Sequence, residues 1–247
     1  MTPSAPSAGP RAESAASFWR RTLLASPTLV GRLAVGRRRL RAWGVSPALW
    51  AEARHQVRAW GLPLGRLPSG PTTDAYKAAV LYALCRARVP ALVVETGVAS
   101  GNSSLGILAA LAANRRGRLY SVDLPEASYR RDSGTVWSDP MRGLPTGWRV
   151  PDALRDRWTL RRGPSREILP SLMAEVGPID LFYHDSEHTR DNMAFEIGLA
   201  WAALRPGGIL AVDNADWSAA FPEFLTAERP ASTVLFPYLG LARKPAR

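Results

Sequence analysis

From Pro90 onward the chain alternates short apolar runs with stretches in which apolar residues return every three or four positions. The runs Ala91–Val94, Arg118–Val122, Trp158–Arg161, Ile179–Tyr183 and Gly208–Val212 read as strands, each four or five residues long. Between them, Ser103–Asn114, Arg166–Glu175 and Asn192–Leu204 carry helical spacing. Strands that alternate with helices need crossover connections, so the expected class is α/β, a mostly parallel sheet flanked by helices. The segment Thr233–Arg243 is expected to add a final hairpin or an edge strand.

The first ninety residues have a different texture. Residues 1–16 are Ser, Ala and Pro with few large apolar groups, and are expected to be a disordered tail. Residues 17–89 form an N-terminal helical extension in this reading. Two helices are expected between Phe18 and Trp60, the second opened by Ser46 as N-cap and Pro47 in the first turn. Gly61–Pro71 is turn-rich, and Thr73–Arg88 reads as a further helix with Ala79, Val80, Ala83 and Leu84 on one face. Residues 90–247 then make the sheet domain. Within it, residues 124–156 are too long for a connector and read as a lid-like insertion, with Tyr129, Trp137 and Trp148 among Arg130, Arg131, Arg142 and Arg149. The plainer alternative is that these tryptophans pack against the sheet.

Composition narrows the class. At 247 residues the chain suffices for one sizeable core beside a tail. No apolar run approaches the ~20 residues that span a bilayer, because Arg, Gly and Pro interrupt each one. The stretch Trp19–Val35 lacks the pattern of a cleaved leader, and the single cysteine, Cys85, excludes an internal disulfide framework. A cytoplasmic protein with a buried thiol is expected. The net charge of +11 comes from basic residues spread along the chain, 30 of the 32 being Arg, with no nucleic-acid module beside them. Nucleic acid is therefore not the expected partner.

The candidate chemistry stands just after the strands, where ligands bind in parallel sheets. Glu95, Gly97, Gly101, Asn102 and Ser103 lie in a glycine turn that opens a helix, so backbone and free N–H groups approach a ligand. Gly-x-Gly-x-x-Gly and the triphosphate-binding loop are both missing, which disfavours dinucleotides and nucleoside triphosphates. Asp123 ends the second strand, where a carboxylate accepts from both ribose hydroxyls, and Ser165 follows the third on the adenine side unless it caps the next helix. Asp185 and the pair Asp213-Asn214 emerge side by side after strands four and five. Their oxygens suit Mg²⁺ or another divalent cation; the alternative is a helix cap at Asp185 and a turn at Asp213-Asn214. His188, three residues beyond Asp185, is the candidate general base, with Glu187 in reserve. His184 is expected to point into the core or hold the loop, His55 to be structural or on the surface, and Trp217 to add an aromatic wall.

Glu95-x-Gly97-x-x-x-Gly101, Asp123 and Leu204-Arg-Pro-Gly-Gly208 together resemble the class I S-adenosylmethionine-dependent methyltransferases, over residues 91–214. Val94–Ser104 and Asp180–His188 are similar to a bacterial branch that includes macrolide-sugar O-methyltransferases and the cephalosporin 7-methoxylation protein. The resemblance implies a Rossmann-like fold with S-adenosyl-L-methionine as cofactor. Glu95, Gly97, Asp123 and Ser165 match positions that line the cofactor site, and Asp185 is counted at the edges of both the cofactor and the metal. Asp185, Asp213 and Asn214 look like the metal site of catechol O-methyltransferase, whose lysine is replaced here by His188. The expected function is metal-assisted O-methylation of a small hydroxylated molecule, a sugar or an aromatic natural product, with catalysis by His188 and Asp185. The alternative is a basic nucleic-acid- or membrane-surface-binding protein with a catalytically silent cofactor fold. The N-terminal helices are the expected oligomer contact.

Overall fold

The computed structural model describes residues 38–64, 72–125 and 143–246. The proposed tail at 1–16, the first N-terminal helix up to Arg37, and the part of the insertion that holds Tyr129 and Trp137 lie outside the described residues.

The elements follow the hydrophobic pattern closely. Helix α1 (Pro47–Ala59) begins as the sequence implies, with Leu49 N donating to Ser46 Oγ at 3.1 Å and proline in the first turn. Helix α2 (Thr72–Arg88) precedes β1 (Leu92–Thr96), α3 (Asn102–Ala113) and β2 (Arg118–Asp123). A short α4 (Asp152–Arg155) leads to β3 (Trp158–Arg162), α5 (Ser165–Val176), β4 (Ile179–His184) and α6 (Arg190–Ala203). Then come β5 (Leu204–Asp213), α7 (Ala220–Glu228), β6 (Ser232–Phe236) and β7 (Leu239–Arg243).

The seven strands lie in the order β3-β2-β1-β4-β5-β7-β6. The first five are parallel, and the expected final hairpin is present, with β7 antiparallel to β5 and β6. Chain order reverses between β1 and β4, which opens a crevice at their carboxyl ends. Two sequence boundaries move. Strand β5 starts at Leu204, four residues early, because Arg205-Pro-Gly-Gly is drawn into the ladder through an irregularity opposite Ile179 and Leu181. Helix α7 went unread, its apolar residues sharing a short segment with Pro222.

Two apolar clusters cover the two faces of the sheet. On one side Leu40, Trp43, Val57, Leu81, Leu84 and Leu108 pack with Val93, Leu119 and Tyr183. On the other, Leu169, Leu172, Met193, Ile197 and Phe221 meet Val94, Phe182 and Leu210. The N-terminal helices therefore share the sheet's own core. Cys85 lies inside it, fully buried, and burial pushes its thiol up to about 12. Helix α2 comes unusually near α3: a Cβ on Gly106 would stand 2.7 Å from the carbonyl oxygen of Ala78. Among the described residues no helix is long and apolar enough to cross a membrane.

Candidate active site

The turn after β1 is built around two carboxylates, and neither is loose. Glu95 has no exposed surface. It accepts from Ser103 Oγ at 2.5 Å, Ser104 Oγ at 2.6 Å and Ser121 Oγ at 2.8 Å, tying the start of α3 to β1 and β2. Burial pushes its carboxyl up to about 7, against the opposing pull of the three hydroxyls. Asp123 takes Val98 N and Ala99 N on Oδ2, both at 2.8 Å, and Leu124 N on Oδ1 at 2.7 Å. It thus holds the glycine turn against β2.

Gly97, with φ of +80°, is needed for close approach. An added Cβ would lie 1.9 Å from the carbonyl oxygen of Asp185, so the ends of β1 and β4 touch here backbone to backbone. Gly101, also left-handed, is the N-cap of α3 and offers no side-chain cap. Among the described residues, no N-cap side chain therefore satisfies the first-turn N–H groups of α3. Asn102 Oδ1 is buried without a hydrogen-bond partner among the described residues, an acceptor in want of a donor at the same place. Of the expected cofactor residues, Gly97, Gly101, Asn102 and Asp123 thus surround this crevice, whereas Glu95 and Ser103 bond to each other beneath it. Ser165 stands at the start of α5, and its hydroxyl adds to the polar set around Glu196.

That polar set was not legible as a site. Glu196, fully buried on α6, accepts from Thr96 Oγ1 at 2.5 Å and Ser186 Oγ at 2.7 Å, and its Oε2 lies 2.7 Å from His184 Nδ1. Asn192, one turn earlier, donates to it at 3.0 Å. The network fixes the loop after β4 from below, and it accounts for His184 as the core residue expected. Asn192 and Glu196 four apart on an otherwise apolar helix were the available signal.

The loop it supports carries the reactive groups. In the sheet His184 stands beside Val212, so Asp185 and Asp213 emerge together as the sequence implies. The cap of α6 is Thr189, whose hydroxyl accepts from Asn192 N, so Asp185 is free of the capping role. Asn214 does adopt a turn, with φ of +45° and its N–H donated to Tyr238 O at 2.7 Å. Ligand atoms of Asp185, His188 and Asp213 lie within 4.8 Å of one another. His188 Nε2 is 3.4 Å from Asp213 Oδ2 and 3.9 Å from Asp185 Oδ1, and the His188 ring is 18% exposed. Tyr183 donates to Asp185 Oδ2 at 2.9 Å. Trp217 reaches over the site, its ring 5.4 Å from that of His188 and the residue half exposed. Glu187 points to solvent, and its carbonyl accepts from Asn192. His55 is on the surface of α1.

The fourth charged group comes from α2. Lys77 Nζ lies 2.8 Å from Asp213 Oδ1, with the two side chains only 10% and 2% exposed. Burial works to raise the Asp213 carboxyl, but the contacts with His188 and Lys77 prevail and hold it at about 2. Asp185 shifts the other way, upward, through burial and the charge of Asp213, although 28% of its side chain still meets solvent, which moderates the effect. For Lys77, burial favours the neutral amine, and the carboxylates of Asp185 and Asp213 outweigh it and raise the pKa. The donor types suit a hard divalent ion, which would use Asp213 Oδ2 on the His188 side, whereas Oδ1 of the same carboxylate meets the ammonium of Lys77. An ion fits there only in competition with that ammonium.

Parallel strands reversing between β1 and β4, a glycine turn into α3 and an acid after β2 define a Rossmann-like α/β methyltransferase fold. Residues 94–215 match the family described as a methyltransferase domain. The chain is similar to the O-methyltransferase TomG of Streptomyces achromogenes, involved in tomaymycin synthesis and solved with S-adenosylmethionine. Identity is 18% and the TM-score 0.52, over 81% of this chain and 91% of that one. A putative O-methyltransferase of Klebsiella pneumoniae gives 18% identity and a TM-score of 0.50, over 86% and 97% of the two chains. No curated protein matches the sequence.

Proposed function

We propose that this protein transfers a methyl group from S-adenosylmethionine to a hydroxyl of a small molecule. The observation that carries the reading is the meeting of Asp185, His188 and Asp213 at the carboxyl ends of β4 and β5, beside the glycine turn after β1. When bound, S-adenosylmethionine supplies a methyl carbon on a positively charged sulfur. Asn102 Oδ1 and the uncapped first turn of α3 hold polar parts of that ligand, with Asp123 fixing the glycine turn beside them.

His188 takes the acceptor's proton. Its Nε2 is buried against Asp213, which leaves Nδ1 as the nitrogen that accepts. As the O–H bond breaks toward Nδ1, the oxygen forms a bond to the methyl carbon, and the carbon–sulfur pair stays on sulfur. Asp213 stabilises the imidazolium, and Trp217 offers a flat apolar face to the acceptor. A sugar or aromatic hydroxyl suits such a wall. In the metal-assisted form of this reaction, Asp185, His188 and Asp213 Oδ2 would hold the ion against the competing ammonium of Lys77 on Oδ1.

The test is a calorimetric titration of the full chain with S-adenosylmethionine, repeated on Asp123→Ala. Micromolar binding in the wild type that weakens at least ~10-fold in the variant, ~1.4 kcal/mol, supports the reading. A folded, ligand-free wild type that does not bind defeats it.

A further inference from the structure

Helix α2 delivers a residue that the methyl-transfer step does not use. Lys77 sits in mid-helix among Ala75, Ala78, Ala79 and Val80, all without exposed surface. A buried ammonium is tolerated only with close compensation. Lys77 has it: Asp213 Oδ1 at 2.8 Å and Asp74 Oδ1 at 3.3 Å. Asp213 in turn faces His188 Nε2 through its other oxygen, 3.4 Å away. One carboxylate therefore joins a fixed cation on one side to the proposed base on the other.

A divalent ion among Asp185, His188 and Asp213 would have to displace this ammonium or share the Asp213 carboxylate with it, on Oδ2 while Lys77 keeps Oδ1. Two cations on one buried carboxylate repel, and Mg²⁺ also requires a near-octahedral shell with several waters of its own.

We propose that Lys77 is the resident cation of the Asp185–Asp213 cluster, replacing a divalent metal there and keeping Asp213 in place to orient His188. Lys77 is thus a positioning residue. The orienting part rests on the methyl-transfer reading, whereas the part concerning metal does not. Removing the ammonium leaves two carboxylates, an imidazole and a cavity, which is a cation site.

The full-length protein is titrated calorimetrically with Mn²⁺ and with Mg²⁺, in parallel with Lys77→Met and, as a control for the site, Asp213→Asn. The expected result is no binding tighter than millimolar in the wild type and at least ~10-fold tighter Mn²⁺ binding in Lys77→Met, accompanied by a metal-dependent rise in its thermal midpoint. Micromolar binding of either ion to the wild type that disappears in Asp213→Asn overturns the proposal, as does a folded Lys77→Met with unchanged affinity. If Lys77→Met does not fold, the wild-type and Asp213→Asn titrations alone decide between these outcomes. Neither S-adenosylmethionine nor an acceptor is present, so failure here is distinct from failure to bind S-adenosylmethionine.

Discussion

The two halves of the crevice treat buried acid in opposite ways. After β1, Glu95 is met by three serine hydroxyls and Asp123 by three backbone N–H groups, all neutral donors. After β4 and β5, Asp213 is met by an ammonium and an imidazole. Neutral donors fix geometry without adding charge. Charged partners couple the position of one group to the protonation of the next. The first half is a cradle held in one shape, and the second is a place where a proton can move.

The largest break in that contrast is His188→Ala. It removes the proposed proton acceptor while leaving the cradle intact, so kcat is expected to fall by about 10²- to 10⁴-fold. Affinity for S-adenosylmethionine is expected to stay near that of the wild type. Single-turnover kinetics beside calorimetry check this, and loss of both together would merge the two halves.

Glu95→Gln sharpens the comparison from the other side. The folded-state pKa of Glu95, about 7, lies above its unfolded value of 4.5. The native state therefore binds the proton more tightly, and wild-type stability falls as pH rises from 4.5 to 7, then levels off. The amide carries no charge, so Glu95→Gln escapes this loss. Relative to the wild type it is expected to gain about 3 kcal/mol between those limits, read from urea unfolding at several pH values. A difference that is flat with pH would mean that the carboxylate is ionised in the cradle throughout.

Trp217→Ala is the smallest change. Half-exposed and on the rim, it is expected to raise KM for an aromatic acceptor roughly tenfold, with kcat and cofactor affinity little altered. A change in kcat as large as that of His188→Ala would move Trp217 from the wall into the machinery.

Much of this was readable from residue order. Five strands, the glycine turn and the acids after strands two, four and five each announced themselves locally, by period or by a break in it. What stayed hidden depends on contacts between distant segments. Glu95 and Asp123 were placed at the right turn, but nothing in the sequence shows that Ser121 and the N–H groups of Val98 and Ala99 use their oxygens. Glu196 looks like one polar residue on an apolar helix until Thr96 and His184 arrive from two strands. Lys77 did leave a trace. In a chain that uses Arg for 30 of its 32 basic residues, the two lysines are exceptions. Both ammonium groups are tied to fixed acceptors: Lys244 donates to the carbonyls of Trp201 and Leu204 at the end of α6, as Lys77 faces Asp213. A compact ammonium fits such spots where a guanidinium does not.

The nearness of α2 to α3 has a consequence of its own. The missing methyl group of Gly106 sets how far Lys77 extends, because the carbonyl of Ala78, the next residue along α2, lies where that methyl would be. A single carbon at a residue that touches neither Asp213 nor His188 would push the ammonium outward and slacken the whole cluster. Gly106 works as a gauge block, fixing by its absence of bulk a distance it does not itself span.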